Sequence, residues 1–418
     1  MKENLKRTIS GKWFVLLMLV LALGFTACSN DDDENNPPPA GENQYLTGVT
    51  VERRFTRQEI INQIDAFAPQ LQLPQSPVAL LVKDVDVAAI TYTTTGVDGN
   101  PVEASGIIAL PVGTSKYDHL LSIQHGTLDM EDAPSKQLFY YEVAPVIKGD
   151  IVVMADYLGY GASQTPDRQH PFLHTASTGT ACADMIEAAR EYLRGKGITE
   201  TDDRLTLMGY SQGGSATIAT LLELEKRGEA RRVASVQAGA GVYDLEGTLQ
   251  SFITSAAGNA PFTDSGYIPY IIRGMAYGER LSLDDAKIYS PQLIAAGGTE
   301  IFSTLPLSQW HAELGSSIAG ILHPDFFVHG FNGNADILRL MAAVHTNSLV
   351  NVDVPATAVT LYHSRLDDFV PYSNSEQMHA HCPGSTLVDL TVPGHAPAAI
   401  EFMLRCMGLW EMLSPAEE

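Results

Sequence analysis

Residues 204–224 constrain the fold of this 418-residue chain more than any other stretch. Leu205 to Met208 reads as a short buried strand, and Ala216 to Leu224 has the composition of a helix. Between them stands Gly209-Tyr210-Ser211-Gln212-Gly213, a G-x-S-x-G pentapeptide. A strand that runs straight into a helix needs a sharp turn with a strained residue at its apex. Glycines flank that apex because side chains there would strike the neighbouring strand and helix. The turn lifts the Ser211 hydroxyl clear of the sheet. It also sets the Gln212 N–H and the positive end of the following helix beside that hydroxyl. The bland alternative is an ordinary glycine turn.

The chain begins with an export segment. Lys2, Lys6, Arg7 and Lys12 form a basic start, and Trp13 to Phe25 is apolar but short for a membrane span. Phe25-Thr26-Ala27-Cys28 resembles the lipobox of bacterial lipoproteins, which implies a signal peptide over 1–27 and lipidation of Cys28. A plain cleaved signal is the alternative. Residues 28–43, acidic and then proline-rich, read as a solvated tether. The acidic run after the cysteine resembles a surface-export signal of some Gram-negative lipoproteins, so the expected location is the outer membrane, at the cell surface.

The formal net charge is −23, and removal of residues 1–27, with four basic residues and one acidic, leaves −26. That balance argues against nucleic acid as a partner and against electrostatic binding to an anionic bilayer. A folded part of about 370 residues suits one large domain with an insertion. Cys182, Cys382 and Cys406 allow at most one bridge after lipidation, and Cys382–Cys406 is the expected pair. No metal-spaced cluster and no internal repeat is present, and no cofactor is expected.

Along the chain, 44–75 reads as an amphipathic lead-in with Ile60, Ile61, Ile64 and Phe67 at helical spacing. Two alternating runs, 88–95 and 102–111, flank a hairpin joint at 96–101. Strands follow at 119–125, 151–155, 205–208 and 233–237, with helices at 178–194 and 216–224. The rhythm breaks over 244–347, where helical patches and aromatics replace strands. It resumes with strands at 357–362 and 386–392 and helices at 373–381 and 398–413. Strands alternating with helices imply a mostly parallel sheet covered on both faces. The expected architecture is therefore α/β: an antiparallel hairpin at the start, core segments over 44–243 and 348–418, and an inserted cap over 244–347.

A serine needs a base within hydrogen-bond reach, and that base needs an acid to fix its tautomer. In parallel sheets such groups gather beyond the carboxyl ends of strands. The order Ser, acid, His is met by Ser211, Asp367 in the turn after 357–362, and His395 after 386–392. Asp368 is the rival acid. These motifs resemble the α/β-hydrolase superfamily. Together with Asp156-Tyr157-Leu158-Gly159-Tyr160-Gly161, His170-Pro171-Phe172-Leu173-His174 and the large insertion, they resemble bacterial secreted lipases and esterases related to fungal secretory lipases. His363-Ser364 stands where that family has His-Gly, which leaves Asp367 in register.

The resemblance implies a carboxylic-ester hydrolase acting through an acyl-enzyme on a small-molecule, glycan or lipid ester. It also implies an oxyanion hole from the N–H of Gln212 and of Thr127, the latter in His125-Gly126-Thr127, with Leu128 the rival donor. His125 and His174 are expected to be structural, not metal ligands, and Asp156 to Gly161 to be sheet-end architecture and pocket wall. In the insertion, Phe252, Phe262, Tyr267, Tyr270, Met275, Tyr277, Phe326 and Phe327 either line an acyl pocket or form the cap's own core. A peptidase on the same fold is a second reading, though no propeller-like repeat supports it. A surface binding protein is a third, and it has no need of an intact Ser, Asp and His.

Overall fold

Two long alternating runs lie towards one end of the sheet. In this computed structural model, which describes residues 43–67, 69, 76–139, 141–257, 264–328, 333–355 and 357–413, they pair as an antiparallel hairpin. The signal segment, Cys28 and most of the tether lie outside the described residues, as does Phe262. The strands are β1 (Leu46–Phe55), β2 (Val85–Thr95), β3 (Pro101–Pro111), β4 (Lys116–Gln124), β5 (Ile151–Ala155), β6 (Thr199–Tyr210), β7 (Val233–Gly239), β8 (Val359–Ser364) and β9 (Thr386–Leu390). They form one sheet in the order β1-β2-β3-β5-β4-β6-β7-β8-β9. The first strands and the β3–β5 pair run antiparallel, and every pair from β5 to β9 is parallel. This is the α/β-hydrolase architecture.

Both faces of the sheet are buried, which explains the near-continuous apolar runs of its inner strands. Alternate residues of β5 go to opposite sides: Ile151, Val153 and Ala155 to one apolar layer, Val152 and Met154 to the other. Helices α1 (Arg57–Phe67), α2 (Thr175–Gly195) and α3 (Gln212–Lys226) cover the sheet with two helices near the C-terminus, considered below. Helices α2 and α3 share one face and touch through small residues. A Cβ on Gly179 would stand 2.4 Å from the Ala219 carbonyl oxygen. On the other face α1 inserts Ile60, Ile61 and Ile64, each such burial contributing ~1.5–3 kcal/mol.

Between β7 and β8 the chain is mainly helical, with α4 (Leu245–Ala257), α5 (Tyr267–Gly278) and α6 (Ala335–Thr346) the longest pieces. They enclose their own apolar cluster. Phe172 and Leu173, from the stretch before α2, plug into it. That contact is close: a Cβ on Gly274 of α5 would lie 2.6 Å from the Phe172 nitrogen. After the insertion come α7 (Ser373–His381) and α8 (His395–Cys406).

Three expectations are corrected. The lead-in is not helical throughout, because Leu46–Phe55 is an edge strand on β2. Only Phe55 in it is buried, and Arg53 and Arg54 keep the edge charged. The C-terminal helix begins at His395 and breaks near Gly408 (φ 66) before a short helix at Trp410–Leu413. Cys382 and Cys406 do not pair, and all three described cysteines are free thiols. Cys382 packs in one apolar layer and Cys406 against the other, so the sheet stands between them.

Candidate active site

Ser211 occupies the turn between β6 and α3 with φ 61 and ψ −123, a conformation L-residues rarely adopt. Its own N–H is tied to the Gly239 carbonyl oxygen at 2.9 Å, which fastens the apex to β7. The neighbouring glycines are steric requirements. A Cβ at Gly213 would fall 2.0 Å from the Gln124 carbonyl oxygen, and one at Gly209 would fall 2.4 Å from the Gly213 carbonyl oxygen. Backbone atoms cannot swing aside, so the turn is closed to larger residues. Gln212 opens α3, and its N–H has no intrahelical acceptor.

The turns after β8 and β9 bring a carboxylate and an imidazole to this hydroxyl. His395 Nε2 lies 2.8 Å from Ser211 Oγ, and His395 Nδ1 lies 2.7 Å from Asp367 Oδ2. Oδ1 of Asp367 accepts the N–H of Phe369 at 2.9 Å and of Val370 at 2.8 Å. His363 Nε2 stands 3.3 Å from Oδ2, and the Asp367 side chain is fully buried. Burial alone would raise its pKa, but the hydrogen bonds from His363 and His395 outweigh it and hold the carboxyl well below the usual carboxylate range. The rival Asp368 touches the backbone rather than the ring, accepting the His395 N–H at Oδ1 (2.8 Å). Gly394, with φ 85, lets the chain turn there. A hydroxyl, an imidazole and a carboxylate in series can pass a proton from serine to histidine while fixing the tautomer.

The 125–130 loop after β4 passes the same place. Thr127 lines the same small cavity as Ser211 and Gln212, whereas Leu128 lines a separate space with Tyr270 and Trp310. The loop is clamped by the segment after β5: Tyr157 O–H donates to the His125 carbonyl at 2.9 Å, and Tyr160 O–H to the Leu128 carbonyl at 2.7 Å. Tyr160 Oη also lies 3.2 Å from the Tyr270 hydroxyl of α5, and Ser308 donates to Asp129 through its N–H (3.1 Å) and its hydroxyl (2.5 Å). Sequence alone marks 156–161 as sheet-end architecture and pocket wall, and nothing in it singles out these two tyrosines as clamps.

Asp156 is part of that framework. Its carboxyl accepts the Ser105 hydroxyl at 2.5 Å and the Ser135 N–H at 2.9 Å, beneath the loop. His125 is buried with Nδ1 at 2.7 Å from the Gly126 carbonyl oxygen and Nε2 at 3.2 Å from that of Asp156. His174 caps α2, accepting the Ser177 N–H at 3.3 Å. His170 Nδ1 lies 2.6 Å from the Leu158 carbonyl oxygen, and its Nε2 is 3.0 Å from the side-chain Nε2 of Gln212. Burial pulls His170 down to about 3, so its ring is neutral and Nε2 accepts from Gln212. Among the described residues, no group of three His, Cys, Asp or Glu side chains is placed to hold a metal ion. No described helix is long and apolar enough to cross a membrane.

Most of the cap aromatics share one apolar cluster, and some of them also reach the site, Phe252 from within that cluster and Tyr267 from its margin. Phe252 and Tyr267, with Phe369 from the turn after β8, border the cavity that holds Ser211. Tyr270, Met275 and Phe326 are buried in the cap's own cluster, with Phe327 packed at its margin. Tyr277 faces a different groove, beside the β2–β3 turn.

Residues 137–396 match the sequence profile of the secretory lipase family. Among solved structures, a protein from Legionella pneumophila superposes with a TM-score of 0.70 at 20% identity, over 89% of this chain and 100% of that one. The rice cell wall degrading esterase LipA from Xanthomonas oryzae gives 0.65 at 24% identity, over 87% and 95%. Candida antarctica lipase A gives 0.60 at 14% identity, over 88% and 83%. No curated protein matches the chain.

Proposed function

The chain belongs to the secretory lipase family of carboxylic ester hydrolases, and from that premise we propose that Ser211, His395 and Asp367 form its catalytic triad. The observation that carries this reading is the unbroken series of 2.8 Å and 2.7 Å contacts from hydroxyl to imidazole to buried carboxylate. Ser211 Oγ attacks the ester carbonyl while His395 Nε2 takes its proton, and Asp367 steadies the resulting imidazolium. The oxyanion forms between the N–H groups of Gln212 and Thr127, each worth ~3 kcal/mol of transition-state stabilisation. His395 then protonates the departing alcohol and leaves an acyl-serine. Water, deprotonated by the same imidazole, attacks this ester and releases the acid and the free serine.

The apolar wall of Phe252, Tyr267 and Phe369 fits an acyl group better than a charged one. Residues 1–27 are proposed to direct export, and lipidation of Cys28 to hold the enzyme at the outer membrane. Ser211→Ala is expected to abolish p-nitrophenyl ester hydrolysis and fluorophosphonate labelling with an unchanged circular dichroism spectrum. Turnover comparable to wild type in that variant would remove Ser211 as the nucleophile. A chain-length series of esters, run beside acetylated and feruloylated glycans, identifies the substrate class.

A further inference from the structure

Glu142 lies in the segment Tyr141–Lys148, whose Val143, Val146 and Ile147 pack into the apolar layer shared with α8. It is 2% exposed. A carboxyl so placed costs several kcal/mol unless it is neutral or well paired, so its contacts matter. Oε1 accepts the Gly126 N–H at 3.2 Å and the Tyr141 O–H at 3.4 Å. Oε2 is buried with no hydrogen-bond partner among the described residues.

The Gly126 N–H belongs to the peptide group whose carbonyl, that of His125, takes the Tyr157 hydroxyl at 2.9 Å. Glu142 and Tyr157 therefore grip the same planar unit from its two ends. The next peptide carries the Gly126 carbonyl, 2.7 Å from His125 Nδ1, and the Thr127 N–H on its opposite side. Rotation of the first plane alters the second. We propose that Glu142 is a positioning residue for the oxyanion loop: by accepting the Gly126 N–H it holds the 125–126 peptide and so aims Thr127 N–H. The inference rests on the reading above in which Thr127 is an oxyanion donor.

Among the described residues, the titratable groups facing Glu142 are Tyr141 on its own segment and Tyr157 beyond β5; neither supplies a positive charge. Burial pushes its carboxyl up to about 8, against the pull of the Gly126 and Tyr141 hydrogen bonds. An ionised form still accepts the Gly126 N–H, but among the described residues it has no cation to pair with, and it sets an uncompensated negative charge against the loop that receives the oxyanion.

The test measures kcat and KM from about pH 5 to pH 10 for wild type, Glu142→Gln and Glu142→Leu, with rates corrected for spontaneous hydrolysis. Fluorophosphonate labelling and thermal melts accompany them. The wild type is expected to lose kcat through a midpoint near 8. Glu142→Gln, which keeps an acceptor for Gly126 but does not ionise, retains wild-type kcat at neutral pH and lacks that limb. Glu142→Leu loses ~10-fold or more in kcat with little change in KM, the mark of a weakened transition-state contact. A Glu142→Gln profile that keeps the wild-type alkaline limb, or a folded Glu142→Leu with wild-type kcat, overturns the proposal. If Glu142→Leu does not fold, the glutamine profile decides alone. Failure of the wild type to label at Ser211 would instead bring down the underlying triad.

Discussion

Replacing Asp367 by Asn tests the triad at the point where the structure gives the most detail. Oδ1 accepts two backbone N–H groups, from Phe369 and Val370. An asparagine in this site keeps its carbonyl oxygen there, since turning the amide would set NH₂ against two buried donors. Its NH₂ then falls where Oδ2 stood, facing His395 Nδ1 at about the present 2.7 Å. Two donors cannot share that contact, so the imidazole gives up its Nδ1 proton and carries it on Nε2. The nitrogen beside Ser211 is then already protonated and cannot accept. The expected result is a fall of ~10⁴ in kcat, as seen when an Asp-to-Asn change leaves a serine protease's geometry intact, or ~5 kcal/mol of barrier. KM should hardly move. Asp368→Asn is the control, because its carbonyl can still accept the His395 N–H. The assay is steady-state hydrolysis of a p-nitrophenyl ester by both variants, with circular dichroism to confirm folding. A folded Asp367→Asn enzyme within tenfold of wild type refutes the reasoning, and so does a large loss confined to Asp368→Asn.

The same carboxylate bears on acid stability. Its folded pKa is depressed, so it stabilises the fold above its ordinary value near 4 and that contribution fades as pH falls through the folded pKa. Chemical denaturation below about pH 4 should therefore show wild type losing stability more steeply than Asp367→Asn; parallel slopes would contradict this. Gly213→Ala, which drives a Cβ to 2.0 Å from the Gln124 carbonyl oxygen, should cost about 3 kcal/mol or more, and a melting temperature within about 2 °C of wild type would show that the turn yields. Phe252→Ala enlarges the cavity beside Ser211 and should raise kcat/KM for longer acyl chains relative to acetyl by about tenfold. An unchanged ratio would place the acyl group elsewhere.

Much of this was legible because backbone constraints leave signatures in sequence. The glycines around Ser211 are forced by carbonyl oxygens within 2.4 Å of any Cβ, so strand, turn and helix could be read together. The core strands were legible because β5 and its neighbours are buried on both faces. β1 was not, since an exposed edge strand held mainly by backbone pairing has no apolar pattern to show. Asp367 and Asp368 are adjacent and chemically identical; only the turn decides which one faces the ring. The cap aromatics were equally opaque, because packing a core and lining a cavity ask for the same residue types. Phe252 and Tyr267 do both, bordering the cavity while packing in or against the cap's cluster, and Tyr270 and Met275 belong to that cluster. Glu142 leaves only a faint trace, a lone acid inside Tyr141-Glu-Val-Ala-Pro-Val-Ile147.

Through Tyr160, Tyr270, Asp129 and Ser308, the insertion is fastened to the very loop that carries Thr127. Sequence drift in the insertion is therefore felt by the machinery beneath it. Exchanging this region for that of a relative, a natural route to new selectivity, would leave Tyr160 and Asp129 without their mates unless the donor brought a phenol and a hydroxyl to the same spots. Chimeras designed without that provision should turn over slowly on every ester offered, and restoring those two groups would be the first repair to make.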